Sequence, residues 1–143
     1  MKRLTKILGE IKELRRRIKC ELEMVRYYDA MSNLIPGPVY GEENIHHEKS
    51  TRAPFEKWIG KKLDMETKIK EDETKLKSLI DEATTMLEGI GDIRYRYILL
   101  YRDVLGLDYL ETSKRMKIAK STAYRFHAEA IAYIVSASKE DEV

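Results

Sequence analysis

From Lys114 to Arg125 the chain collects side chains that suit contact with a polyanion. Lys114, Lys117 and Lys120 carry positive charge, Ser121 and Thr122 carry hydroxyls, and Tyr124 and Arg125 follow directly. Lysines and hydroxyls can hold phosphate oxygens, and an arginine fork can read the edge of a guanine. Lys120, Ser121, Tyr124 and Arg125 are the candidate base readers. Thr122, Lys117 and Lys114 are candidate phosphate contacts, which position a protein on a duplex without reading its sequence. Between Tyr109 and His127 these cations face a single acid, Glu111. His127 is read as a packing or phosphate residue. Arg94, Arg96 and Arg102 are further candidates for gripping a backbone, and equally suit a solvated helix face.

Such groups work only if one face of a helix presents them while the other face is anchored. Ala123, Phe126, Ala130 and Ile134, with Ile131 beside them, recur at steps of three and four. That period predicts a helix from Lys120 to about Val135 with a small, apolar inner side. A shorter helix precedes it, carrying Leu110, Thr112, Ser113 and Met116. Asp108 is its N-cap candidate, because a carboxylate accepts the free N–H groups of an opening turn. The break falls at Lys117-Ile118-Ala119. A third helix, from Asp92 or a neighbour to about Asp103, shows an apolar stripe of Ile93, Tyr97, Leu100 and Val104, with Ile98 and Tyr101 next to it. It is expected to cover Ala123 and Phe126. The plainer reading of all three is an ordinary charged three-helix bundle.

Upstream, residues 3 to about 32 read as a helix with Leu4, Ile7, Ile11, Leu14, Ile18, Leu22 and Val25 inward. Asn33 to Pro54 is irregular, punctuated by Pro36, Gly37, Pro38, Gly41 and Pro54. From Pro54, a residue suited to the first helical position, a long helix is expected to about Glu88. Its two heptad seams are Phe55, Lys62, Ile69, Leu76, Ala83 and Trp58, Met65, Asp72, Leu79, Met86. Lys62 and Asp72 break the apolar stripe. A seam this narrow needs a partner helix, either residues 3–32 of the same chain or a second copy, and a homodimer is expected. Gly89-Ile90-Gly91 ends that helix. The resulting fold class is all-α: coiled-coil-type helices over 1–89 with a loop at 33–54, a three-helix unit over 90–136, and an acidic, fraying tail over 137–143.

Composition sets outer bounds. The net charge of +2 over 143 residues implies no polyanionic partner by itself, so the local clustering carries that inference. Cys20 is the single cysteine, which suits a reducing cytoplasm. No signal peptide and no membrane-spanning run appear, so a cytoplasmic protein with no membrane partner is expected. His46-His47 with Cys20 or Glu48 fits no zinc spacing, so no metal is expected. No nucleophile–base pair, phosphate-binding glycine loop or cofactor motif is present, which reads as a non-enzyme without cofactors.

Residues 90 to 134 resemble the DNA-binding fourth domain of bacterial sigma factors. The matching residues are Arg96, Ile98, Leu99, Tyr101 and Arg102, then Gly106-Leu107-Asp108-Tyr109, then Met116, Ile118, and Lys120 to Arg125 with His127 and Ala130. Ala119 stands where that pattern usually has an N-cap serine. Over about residues 14 to 134 the layout is similar to the RinA and ArpU transcriptional regulators of phages and prophages of Gram-positive bacteria. The resemblance implies a helix-turn-helix that binds double-stranded DNA, and a late-gene activator working with host RNA polymerase. No counterpart of the sigma domain that melts promoters is seen. Two alternatives stay open: a terminase small subunit for DNA packaging, and a helical adaptor that binds a protein and never touches DNA.

Overall fold

The computed structural model describes residues 1–34 and 48–141, with the backbone alone for 48–54 and 141. Among these residues the fold is all-α, with no strand. The helices are α1 (Lys2–Leu34), α2 (Glu48–Leu87), α3 (Ile93–Leu99), α4 (Tyr109–Met116) and α5 (Lys120–Asp141). A π-helical turn, Leu100–Val104, continues α3. Helix α2 begins at Glu48, not at Pro54 as expected. The proline deprives the helix of one N–H donor, a loss that a helix of 40 residues absorbs.

The chain forms two compact units, Met1–Arg15 with Lys75–Val143, and Arg16–Thr74. The expected boundary near residue 89 is therefore not where it divides. The reason is that the start of α1 belongs with the C-terminal helices.

In the unit Arg16–Thr74, α1 and α2 lie antiparallel. Arg17 pairs with Asp72 at 3.2 Å, and Asp29 pairs with Lys62 at 2.9 Å. Trp58 meets Tyr27 and Tyr28 with ring centroids 5.9 Å apart in both cases, and the Lys61 ammonium lies 5.0 Å from the Trp58 ring. Every α2 seam residue of this unit is buried or half-buried, including Lys62 and Asp72. The two polar breaks are thus inward positions with partners on α1. Leu22 is a correction. It is 45% exposed, and Glu21 takes the inward place. Continuing Leu4, Ile7, Ile11, Leu14 and Ile18 by strict heptad steps lands on 21 and then 25, so Leu22 falls one position off the seam.

Glu21 and Asp72 are a buried carboxyl pair facing Arg17, with Lys68 nearby. Burial, then Asp72, pushes the Glu21 carboxyl up, whereas the hydrogen bond from Glu21 and the nearby Arg17 hold Asp72 down. A raised carboxyl stabilises the fold below its unfolded-state value, about 4.3, and that contribution is lost as pH rises through its folded value. Glu21→Gln keeps a hydrogen-bond donor and removes the charge. It should raise stability by about 1–3 kcal/mol at neutral pH, and the gain should vanish below about pH 4. Thermal melts across pH check this; a pH-independent difference would refute it.

In the other unit Leu4, Ile7 and Ile11 have no exposed surface, and Leu8 and Leu14 are buried beside them. Three contacts show what surrounds this stretch of α1. Arg3 pairs with Glu82 of α2 at 3.1 Å, the Thr5 and Ser138 hydroxyls share a hydrogen bond of 3.2 Å, and Arg15 donates to the Val104 carbonyl. From α2, Leu79, Ala83 and Leu87 are buried, followed by Ile90 in the turn. The N–H groups of Gly89 and Ile90 close tight turns on Met86 and Leu87. The expected fraying tail is also corrected: α5 stays helical to Asp141. Ala137 and Ser138 are half-buried, and Ser138 is tied to Thr5, so the start of the expected tail is packed.

The apolar stripe expected for α3 is only partly its buried face. Ile93 is 62% exposed and Tyr97 41%, while Ile98, Leu99 and Val104 are fully buried. A continuous α-helix would bring Asp103, four residues after Leu99, to the inner face. The π turn instead steps five residues, from Leu99 to Val104. It is closed by the Leu105 N–H on the Leu100 carbonyl at 2.8 Å.

Candidate nucleic-acid interface

Helix α4 starts where its cap requires. The Asp108 carboxylate accepts from the Glu111 N–H at 2.7 Å. It ends in a Schellman turn: the Ile118 N–H reaches the Ser113 carbonyl at 3.0 Å, and the Lys117 N–H reaches the Lys114 carbonyl at 3.3 Å. Lys117 supplies the left-handed residue, with φ 57°. Ala119 then leads into α5, its carbonyl accepting from the Ala123 N–H at 3.0 Å.

Helix α5 is anchored by Ala123, Ala130 and Ile134, all buried, with Phe126 and Ile131 half-buried. Helices α3 and α4 both pack on it. The small residues let these helices approach closely, and buried Thr112 and Ser113 of α4 play the same part. The opposite side of α5 presents Lys120, Ser121, Tyr124 and Arg125, all exposed, with Thr122 half-buried. Lys114 and Lys117 are exposed at the end of α4 and in the turn. The seven candidate residues thus occupy the turn and the helix positions on either side of it. Arg125 is 65% exposed and 3.9 Å from Glu129. So loose a surface pair is worth about 0.3–0.5 kcal/mol, and the guanidinium remains available.

The three upstream arginines already have partners. Arg94 pairs with Asp92 at 3.0 Å, Arg96 donates to the Ile90 carbonyl at 2.8 Å, and Arg102 donates to the Leu107 carbonyl at 2.6 Å. The Asp92 carboxyl sits below its usual range because of Arg94. These contacts hold the turns that flank α3.

A polar and aromatic network behind the exposed face escaped the sequence reading. Tyr109 and Tyr124 stack with centroids 3.8 Å apart, and the Arg102 guanidinium lies 4.0 Å from the other partner, the Tyr109 ring. The Tyr109 hydroxyl meets His127 Nδ1 at 3.1 Å, and His127 Nε2 meets Asp103 Oδ2 at 2.8 Å. A carboxylate only accepts, so Nε2 carries a proton; in a neutral ring Nδ1 then accepts from the tyrosine hydroxyl. His127 is therefore a bracket between α4, α5 and the π turn. No periodic signal links Asp103 to His127, because the π turn that aims Asp103 leaves no mark in hydrophobic spacing.

His46 and His47 lie outside the described residues. Among the described residues no group of three or more His, Cys, Asp or Glu could hold a metal ion, and Cys20 is an exposed free thiol. No helix there is long and apolar enough to cross a membrane. No protein-family model matches the chain, and no curated protein or solved structure matches it either.

Proposed function

We propose that this chain is a sequence-specific DNA-binding transcription regulator of the phage type, acting with host RNA polymerase to activate late genes. The observation that supports this reading is the exposed row Lys120, Ser121, Tyr124 and Arg125. It opens a helix whose other face is buried and whose entry is set by a tight, capped turn. That arrangement suits a helix lying in a major groove, with Lys114 and Lys117 beside the phosphates. RinA- and ArpU-like regulators remain the family this reading favours. Non-enzymatic action, without cofactor, follows from the same reading.

The homodimer is proposed on different grounds from those the heptads offered. The α2 seam of the unit Arg16–Thr74 has a partner within its own chain. A second copy would instead cover exposed apolar side chains such as Leu22, Tyr27 and Leu63. Two copies would double the phosphate contacts and read two half-sites. A ring of many copies in sedimentation would support the terminase alternative.

The test is duplex binding by the full chain, titrated across salt on fragments tiled over the promoters around its own gene. One fragment should bind, with affinity falling steeply and linearly on logarithmic axes. A slope near zero would overturn DNA binding. One observation favours the protein-binding adaptor. A cleft of about 340 Å³ is lined by Ile93, Tyr97, Tyr101, Met116, Ile118 and Phe126, together with Arg94 and Arg115. Retention of a protein partner with no retention of any duplex would support that second reading.

A further inference from the structure

We propose that the cleft formed by Lys12 and Arg15 of α1, Arg102 and Gly106 around the π turn, and His127 of α5 is a binding site for a phosphate-class oxyanion. The inference goes beyond the DNA-binding reading and does not depend on it, since it uses none of the seven residues from Lys114 to Arg125 proposed to contact the duplex. The cleft has a volume of about 260 Å³. A water occupies about 30 Å³ in the liquid, so a hydrated phosphate group has room.

The charge balance carries the inference. Lys12, Arg15 and Arg102 line the cleft, and Asp103 is the one carboxylate among its lining residues. That carboxylate is already engaged, with Oδ2 on His127 Nε2 at 2.8 Å. Neither arginine has an acidic partner. Arg15 donates to the Val104 carbonyl, and its Nε is buried with nothing to bond. Arg102 donates to the Leu107 carbonyl and lies on the Tyr109 ring, and its Nε is likewise buried and unbonded. Burial pushes Arg15 below its ordinary value, with no carboxylate opposing the shift. Partly desolvated cations without an anion carry an electrostatic penalty. An oxyanion removes it, because guanidinium forks match tetrahedral oxygens.

The backbone is shaped for the same purpose. Gly106 has φ +71°, and a Cβ there would come within 3.2 Å of the Arg15 Cδ and Nε. Glycine therefore both permits the left-handed turn and admits the arginine. Gly106→Ala should destabilise the fold by about 1–3 kcal/mol and displace Arg15; an unchanged urea midpoint would refute this. The site also reaches the exposed face of α5. His127 bonds Tyr109, and Tyr109 stacks on Tyr124.

The anion has two possible sources, a backbone phosphate of nucleic acid or free phosphate. Inorganic phosphate is titrated against the full chain at constant ionic strength, with chloride as the exchanged ion, while amide and His127 side-chain resonances are followed. Saturable shifts confined to Lys12, Arg15, Arg102 to Leu107 and His127 are expected. Lys12→Gln, on an exposed helix position, should weaken them about tenfold, whereas Lys77→Gln, exposed on α2, should leave them unchanged. In a second arm the same variants are titrated with duplex. A weakened affinity for Lys12→Gln, with a salt slope reduced by about one, assigns the site to a DNA phosphate. Unchanged duplex binding beside weakened phosphate binding assigns it to the free anion. Shifts that never saturate, or that ignore Lys12→Gln, overturn the site. If no duplex binds at all, the phosphate arm still decides the matter.

Discussion

Replacing Lys120 and Arg125 together by alanine is expected to lower affinity for the specific duplex by about a hundredfold or more. A bidentate arginine–guanine pair discriminates by about 1–3 kcal/mol, and a lysine–phosphate contact adds a further salt-dependent share. Both side chains are exposed, and neither braces the fold. Arg125 has only the loose contact to Glu129 and a 5.5 Å approach to the Phe126 ring. The folded state should therefore survive, and the melting temperature should move little. The two residues should also separate in kind. Arg125→Ala should relax sequence preference, while Lys120→Ala should reduce affinity with a smaller salt slope. Anisotropy titrations against the preferred duplex and a scrambled one measure both. Unchanged binding by the double variant would remove α5 as the reading helix.

A fragment containing only residues 90–143 is expected to lose cooperative folding. On sequence grounds residues 90–136 of this stretch form a three-helix unit. The structure instead places Leu4, Ile7 and Ile11 of α1, with no exposed surface, in the same compact unit as α3, α4 and α5. Removing them also cuts the Arg15 contact to Val104 and the Thr5 contact to Ser138. In the full chain, Ile7→Ala or Ile11→Ala should each cost about 2–5 kcal/mol, a large share of the 5–15 kcal/mol by which domains are usually stable. Circular dichroism and the dispersion of amide resonances test the fragment; urea denaturation tests the point variants. A fragment that melts cooperatively would show the N-terminal stretch to be dispensable. If the fragment fails while the full chain binds duplex, DNA binding is tied to the integrity of the whole unit.

Much of the local structure was legible because its causes are local. Asp108 and Asp92 cap α4 and α3 through bonds spanning two or three residues. The inward side of α5 follows from Ala123, Ala130 and Ile134 at a helical period. The heptad seam of α2 was readable even through Lys62 and Asp72, since a strict repeat of seven tolerates a polar residue when a partner waits opposite. Where two registers competed, spacing was not enough. Leu22 and Glu21 both lie within three or four residues of Ile18, and hydrophobicity favoured the wrong one. Ile93 and Tyr97 looked inward because α3 is apolar on more than one side.

Local residue preferences are enough to set the all-α class, the helix-capping residues, the turn at Lys117 to Ala119, and the basic, hydroxyl-bearing face of α5. These depend on backbone propensities and on side chains within a few positions of one another. Long-range packing brings residues 1–15 into one unit with residues 75–143. The same packing accompanies the π turn from Leu100 to Val104 and brings Arg15, Arg102 and His127 to one cleft. Those outcomes depend on which buried group finds a partner far along the chain, as Arg15 finds Val104 and Asp103 finds His127. Pairing across that distance is settled by packing and desolvation, and neither leaves a periodic trace in the sequence.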